Sequence, residues 1–148
     1  MTNRWQAAQR LALRPFDLTH VQFVLLAALT WLAVDGPVTQ RELADLAATD
    51  PMMTSQVLRA LESRGLVRRD SHPDDRRARS LMVTDAGRVL ANRSVAAVEA
   101  CDAEFFAALG GRLPAFTRAL ARLGGRAGGS PAGHQAGEAG RRDDPGRR

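Results

Sequence analysis

Hydrophobic and polar positions alternate in two distinct rhythms along this chain. Residues 20–34, HVQFVLLAALTWLAV, are apolar almost all round, which predicts a buried helix instead of a surface one. Thr19 with Gln22 three residues later forms a capping box at its start, each side chain able to satisfy an orphan N–H. Asp35-Gly36-Pro37 ends it, and Val38 is expected to add one strand residue. Phe23, Leu26 and Leu29 or Thr30 are expected to pack beneath the elements that follow.

From Thr39 the rhythm becomes that of short amphipathic helices. Thr39 and Glu42 make a second capping box, and Leu43 and Leu46 supply that helix's apolar side. Asp50 is a good N-cap, and Pro51 suits the first helical position, where no N–H is needed. Thr54, Leu58 and Leu61 then share one side at i, i+4, i+7, with Ser55, Gln56 and Arg59 on the other. Gly65 stands where a left-handed residue closes a helix, and Arg64 faces the negative end of the dipole. Two helices joined by a tight turn make a helix-turn-helix, whose second member is shaped to enter a major groove.

The rhythm then switches to period two. Leu66 to Arg69 and Arg79 to Val83 read as strands, Leu81 and Val83 sharing a face, around the turn-rich tip DSHPDDRRA. A hairpin directly after a recognition helix is a wing, and its arginines can reach phosphates or a narrow minor groove. Alone, such a tip is more often a solvated turn; the preceding helix pair is what gives it a role.

On either side lie further helices. Residues 1–14 place Trp5, Ala8 and Leu11 or Ala12 on one side and stop at Pro15. Thr84 caps a long helix expected to reach Leu109, with Val89, Val95, Val98, Cys101 or Asp102, Phe105 and Leu109 along an imperfect stripe. Gly110-Gly111 breaks it, and Pro114 permits a last helix with Phe116, Leu120 and Leu123 at i, i+4, i+7. Residues 124–148 are rich in glycine, proline and charge without a large apolar side chain, and read as a disordered, dispensable tail.

Composition sharpens this picture. A chain of 148 residues suits one domain, and all 21 basic residues are arginine. Residues 59–79 hold seven arginines against four acids and the tail five against three, which together account for the net charge of +5. Positive charge thus falls on the DNA-facing ribbon, as counterion release requires. The single cysteine, Cys101, excludes an internal disulfide and fits a reducing cytoplasm; it reads as a small buried hydrophobe. No signal peptide or membrane-spanning stretch is visible. His72, Asp74 and Asp75 crowd one tip without a second cluster to complete a metal shell, and there is no phosphate loop or paired nucleophile, so neither metal, cofactor nor catalysis is expected.

The segments LTHVQFVLLAAL, VTQRELADLA, MTSQVLRALESRGLVRR and HPDDRRARSLMVTDAGR resemble the MarR winged-helix transcription regulators, over about residues 5–123. The resemblance implies a mainly α fold with a small β-wing. Residues 39–83 would form the helix-turn-helix and wing, and residues 1–18 and 85–123 the dimerisation helices. The Asp-x-Arg wing pattern falls on Asp75 and Arg77, which implies that Arg77 enters the minor groove while Asp75 steadies the arginines. Ser55 and Gln56 match positions that approach base edges. Many relatives carry arginine where Gln56 stands, and glutamine favours adenine over guanine. Relatives that sense peroxide use an N-terminal cysteine, which is absent here.

Together these readings assign DNA contacts to Thr39, Gln40, Met52, Met53, Ser55, Gln56 and Arg59 in the helix pair, and to Arg69, Asp75, Arg76, Arg77 and Arg79 in the wing. By resemblance a small aromatic effector binds between the dimer helices and the DNA-binding lobe. Trp5, His20 and Trp31 are the candidates to meet it, against ordinary packing roles for each. The first helix is shorter than the resemblance implies, so either the true start lies upstream or the dimer is weaker or rearranged. The expected function is a cytoplasmic homodimeric repressor on a pseudo-palindromic operator. The competing class is a winged-helix module that binds another protein, against which the basic tip argues.

Overall fold

Four side-chain caps set where helices begin. In the computed structural model, which describes residues 2–71 and 79–124, the order is α1 (Thr2–Leu13), a 3-10 turn (Arg14–Phe16), α2 (His20–Leu32), β1 (Val38–Thr39), α3 (Gln40–Ala47), α4 (Pro51–Ser63), β2 (Val67–Ser71), β3 (Arg79–Val83), α5 (Asp85–Phe106), a second 3-10 segment (Ala107–Arg112) and α6 (Leu113–Gly124). Thr19 and Thr39 both close reciprocal capping boxes, with Gln22 and Glu42. Asp50 accepts the Met53 N–H at 2.8 Å, and Thr84 accepts the Gly87 N–H at 3.0 Å. Each such cap contributes about 1 kcal/mol. Residues Met1–Ala108 form one compact unit and the residues from Leu109 a second.

The core of the first unit is built on α2. Leu25, Leu26 and Leu29 are fully buried and join Leu43, Leu58, Leu61 and Leu81 in one cluster. Each buried leucine contributes about 2 kcal/mol by leaving water. The sheet is antiparallel in the order β1-β3-β2. Val38 pairs with Leu81, and Val67 with Val83, so β3 lies central and ties the wing to the helix-turn-helix.

Helix α4 ends in a Schellman motif. Gly65 is left-handed at φ 68°, its N–H reaches the Glu62 carbonyl at 2.9 Å, and the Leu66 N–H reaches that of Leu61 at 3.0 Å. That closure takes up Leu66, so β2 begins one residue later than the sequence pattern predicts.

Several apolar expectations change. Leu46 is 46% exposed, because Leu43 and Ala44 turn α3's buried face away from it. Phe23 is only partly buried, its expected place in α2 taken by Leu25. In α1 Leu11 is exposed, Trp5, Ala8 and Ala12 are half-buried, and the buried residues are Gln9 and Leu13. The largest correction is in α5, which stops at Phe106, short of Leu109. Its buried face is Gly87, Ala91, Ser94 and Val98, whereas Val89 is exposed. The cause is close approach: a Cβ on Gly87 would collide with the Leu66 carbonyl oxygen and lie 2.9 Å from Val83 Cγ2. The small residues Gly87, Ala91 and Ser94 therefore set the helix phase, and of the expected valines Val98 is buried while Val95 is half-buried. Cys101 is half-buried on α5, outside the core. In the second unit α6 presents Phe116 and Leu120 partly to solvent.

Candidate nucleic-acid interface

Burial of Thr54, Leu58 and Leu61 decides what α4 shows to the outside. Thr54 satisfies its buried hydroxyl on the Asp50 carbonyl and on Thr49 Oγ1, both at 2.8 Å. The opposite face then carries Met52, Gln56, Arg59 and Ser63 in one exposed row, spaced i, i+4, i+7, i+11. Met53 and Ser55 flank the row, and Arg59 Nη2 lies 3.3 Å from Ser55 Oγ as its donor. At the start of α3, Thr39 and Gln40 are half-buried. The Thr39 hydroxyl and N–H both donate to Glu42 Oε2, at 2.8 and 2.7 Å.

The wing's arginines differ in their company. Arg69 is mostly buried, its Nε 3.2 Å from Glu62 Oε1, which braces the wing's first strand against the end of α4. Neither that Nε nor Nη2, both buried, has a hydrogen-bond partner among the described residues, so the brace is an ionic contact alone. Arg68 pairs with Asp70 at 3.3 Å in a more exposed setting, where screening leaves little net stabilisation. Arg79 opens β3, its backbone paired with Ser71. Asp75, Arg76 and Arg77 lie outside the described residues.

Arg64, expected to serve the helix dipole, does something further. Its guanidinium donates to the Asp17 and Phe16 carbonyls at 2.6 and 3.2 Å, fastening the end of α4 to the α1–α2 turn. Thr84 does the same on the other side, its hydroxyl donating to the Gly65 carbonyl at 2.7 Å. Neither bond is legible in the sequence, since the partners lie 47 and 19 residues apart.

The three candidate ligand residues are held in different surroundings. Trp5 donates from Nε1 to Asp102 Oδ1 at 2.7 Å and packs edge-on to Phe106, 5.6 Å between ring centroids. Gln9 joins the same carboxylate oxygen at 3.1 Å. His20 is exposed and tilted over Phe23, and Trp31 is 69% exposed. None of them lines the cleft of about 650 Å³ that opens between the α2–β1 turn, the wing and α5. Its walls include Ala33, Pro37, Leu81 and Val83, with Asp70 and Arg88 as the charged groups. Arg88 follows Gly87, whose close approach to Leu66 is what brings the first turn of α5 up to the sheet. Among the described residues no group of three or more His, Cys, Asp or Glu is placed to hold a metal, and no single helix is long and apolar enough to cross a membrane.

A helix pair with its polar face outward, followed by a two-stranded ribbon and packed on a leucine spine, defines a winged helix-turn-helix DNA-binding protein. The MarR family model matches residues 18–78. YdcH of Bacillus subtilis, an uncharacterized HTH-type transcriptional regulator, is 42% identical over 108 residues, 72% of this chain and 74% of its own. The Mycobacterium tuberculosis MarR-family protein Rv2887, solved with p-aminosalicylic acid, shares 33% identity at TM-score 0.66, covering 83% of this chain and 92% of its own. The repressor CouR, known from Rhodococcus jostii, was solved on a 23-mer DNA duplex. That structure shares 30% identity at TM-score 0.71, covering 83% of this chain and 86% of its own. The chain belongs to the MarR family.

Proposed function

We propose that this chain is a cytoplasmic, homodimeric transcriptional repressor that reads a pseudo-palindromic operator and leaves it when a small aromatic acid binds. The observation that carries the reading is the division of α4, with Thr54, Leu58 and Leu61 buried and Met52, Gln56 and Arg59 exposed. A helix so divided, seated just before a wing, can present one face to base edges without disturbing its core. The DNA contacts are those named from the sequence, with Arg69 acting in part by bracing the wing through Glu62. Residues 1–18 and 85–123 form the dimerisation region; beyond Gly124, the tail expected over residues 124–148 lies outside the described residues. No step of this reading is catalytic.

For the effector, the cleft beside Arg88 is a better seat than Trp5, whose indole N–H is already bonded to Asp102. A mostly apolar wall with the Arg88 guanidinium suits an aromatic ring bearing a carboxylate, the cleft's other charge, Asp70, being paired with Arg68. One structural relative, solved with p-aminosalicylic acid, holds a ligand of this chemistry, and another was solved with p-coumaroyl-CoA, an aromatic thioester that shares the ring but not the free carboxylate.

The test is titration of the full chain into duplex from upstream of its own gene, beside a scrambled duplex, at near-physiological salt. A preference of about 10³ or more is expected of a sequence-specific binder. Arg77→Ala, folded by circular dichroism, is expected to weaken binding and lower the salt dependence by about one unit of slope. Unchanged binding by that variant overturns the role given to the wing.

A further inference from the structure

Met52 occupies a place that packing does not explain. It stands in the first turn of α4, where Pro51 and the Asp50 cap fix the helix start, and it is 73% exposed. A lone exposed apolar side chain is unremarkable in itself. This one, however, begins the row that continues through Gln56 and Arg59, and N-terminal residues of a recognition helix are those that meet base edges. The major groove offers one apolar group, the 5-methyl of thymine. Met52 and Gln56 are one helical turn apart, about 6 Å along the axis, or about two base-pair steps at 3.4 Å each.

We propose that Met52 reads a thymine 5-methyl group, about two base pairs from the adenine that Gln56 reads. This rests on the DNA-binding reading above and adds base identity to it. The unbranched thioether adapts to the methyl without a fixed rotamer, so the contact needs no special backbone geometry. Neighbouring Met53 does not share the role, since it lies about 100° round the helix and is less exposed, at 42%.

The experiment enriches duplexes from a randomised pool on the full chain, then replaces each thymine of the enriched duplex singly by deoxyuridine, which removes the methyl alone. Binding is read by fluorescence anisotropy. One thymine in each half-site is expected to give about a fourfold loss on replacement, the effect of leaving one methyl-sized group in water. The Met52→Ala variant, whose exposed site leaves folding intact by circular dichroism, is expected to bind the thymine and deoxyuridine duplexes equally. Enrichment followed by indifference to every replacement overturns the inference alone, as does an undiminished penalty in Met52→Ala. A pool that shows no enrichment overturns the DNA-binding reading with it.

Discussion

Replacing Gly87 by alanine sets two physical effects of opposite sign against each other. Gly87 sits in the first turn of the 22-residue helix α5. Helix propensity alone favours alanine over glycine there by about 1 kcal/mol. Against this, the new Cβ would overlap the Leu66 carbonyl oxygen and press on Val83 Cγ2 at 2.9 Å. That carbonyl cannot easily move, for it accepts the Thr84 N–H at 3.1 Å and lies 3.1 Å from the Thr84 hydroxyl, whose one hydrogen it shares with the nearer Gly65 carbonyl. Relief requires α5 to back away, which loosens buried Leu66 and Val83. Overpacking of this kind costs about 1–3 kcal/mol, and loss of one such hydrogen bond about 1 kcal/mol more. Sterics therefore win, with a net destabilisation of about 2 kcal/mol. For a domain of this size that lowers Tm by roughly 6–10 °C, read by circular dichroism melting at fixed protein concentration. Gly111→Ala is the control, since nothing lies within 4 Å of its added Cβ; its expected change is within about 0.5 kcal/mol. A Gly87→Ala protein that melts at or above the parent temperature refutes the argument.

The remaining expectations are simpler. Gln56→Ala should weaken operator binding by about 1–3 kcal/mol and relax selection for adenine at one position per half-site; selection from a randomised pool checks it, and an unchanged consensus contradicts it. Ala48, left-handed at φ 51° in the turn between α3 and α4, adopts a conformation that favours glycine. Ala48→Gly should stabilise by up to about 1 kcal/mol, visible as a higher denaturant midpoint at unchanged m-value. Burial raises the Cys101 thiol pKa above its ordinary value, with the Asp102 and Glu104 charges adding to the effect. The folded state thus favours the protonated thiol. Its contribution is whole at neutral pH and is lost as pH rises from the unfolded thiol range through the raised folded one. At pH 8 iodoacetamide should modify Cys101 more slowly in the folded chain than in urea, and equal rates would contradict the assignment.

Legibility in the sequence followed the range of the interaction. Caps act over three residues, so Thr19, Thr39, Asp50 and Thr84 announced their helices, and the structure starts each helix there. The division of α4 was equally local, set by spacing on one helix. Pairing of Val38 with β3 could be anticipated because a wing needs a third edge. What stayed hidden depends on which backbone meets which. The sequence around α5 shows valines at helical spacing, and valine normally outweighs glycine as a core signal. Only the approach of α5 to Leu66 reveals that a side chain would not fit at Gly87. The same holds for the cleft, whose walls come from three separated stretches. It holds too for Trp5, whose partner Asp102 is 97 residues away.

Under the function proposed above, those long-range contacts would link binding of an effector to release of DNA. Helix α4 is fastened at its C-terminal end to the α1–α2 turn through Arg64 and to the head of α5 through Thr84. A displacement of α5 against the leucine spine would therefore be passed to the C-terminal end of α4 through Thr84. A ligand in the cleft would touch β3 and Arg88 of α5 together, so the quantity it can alter is the setting of the wing against α5. Moving that equilibrium from 1:99 to 99:1 needs about 5.5 kcal/mol of differential affinity. One charge-assisted bond to Arg88 supplies only part of it, about 1.5–3 kcal/mol. The remainder must come from the apolar wall of Ala33, Pro37, Leu81 and Val83 closing on a ring. A carboxylate without a ring should accordingly occupy Arg88 and leave the DNA complex intact.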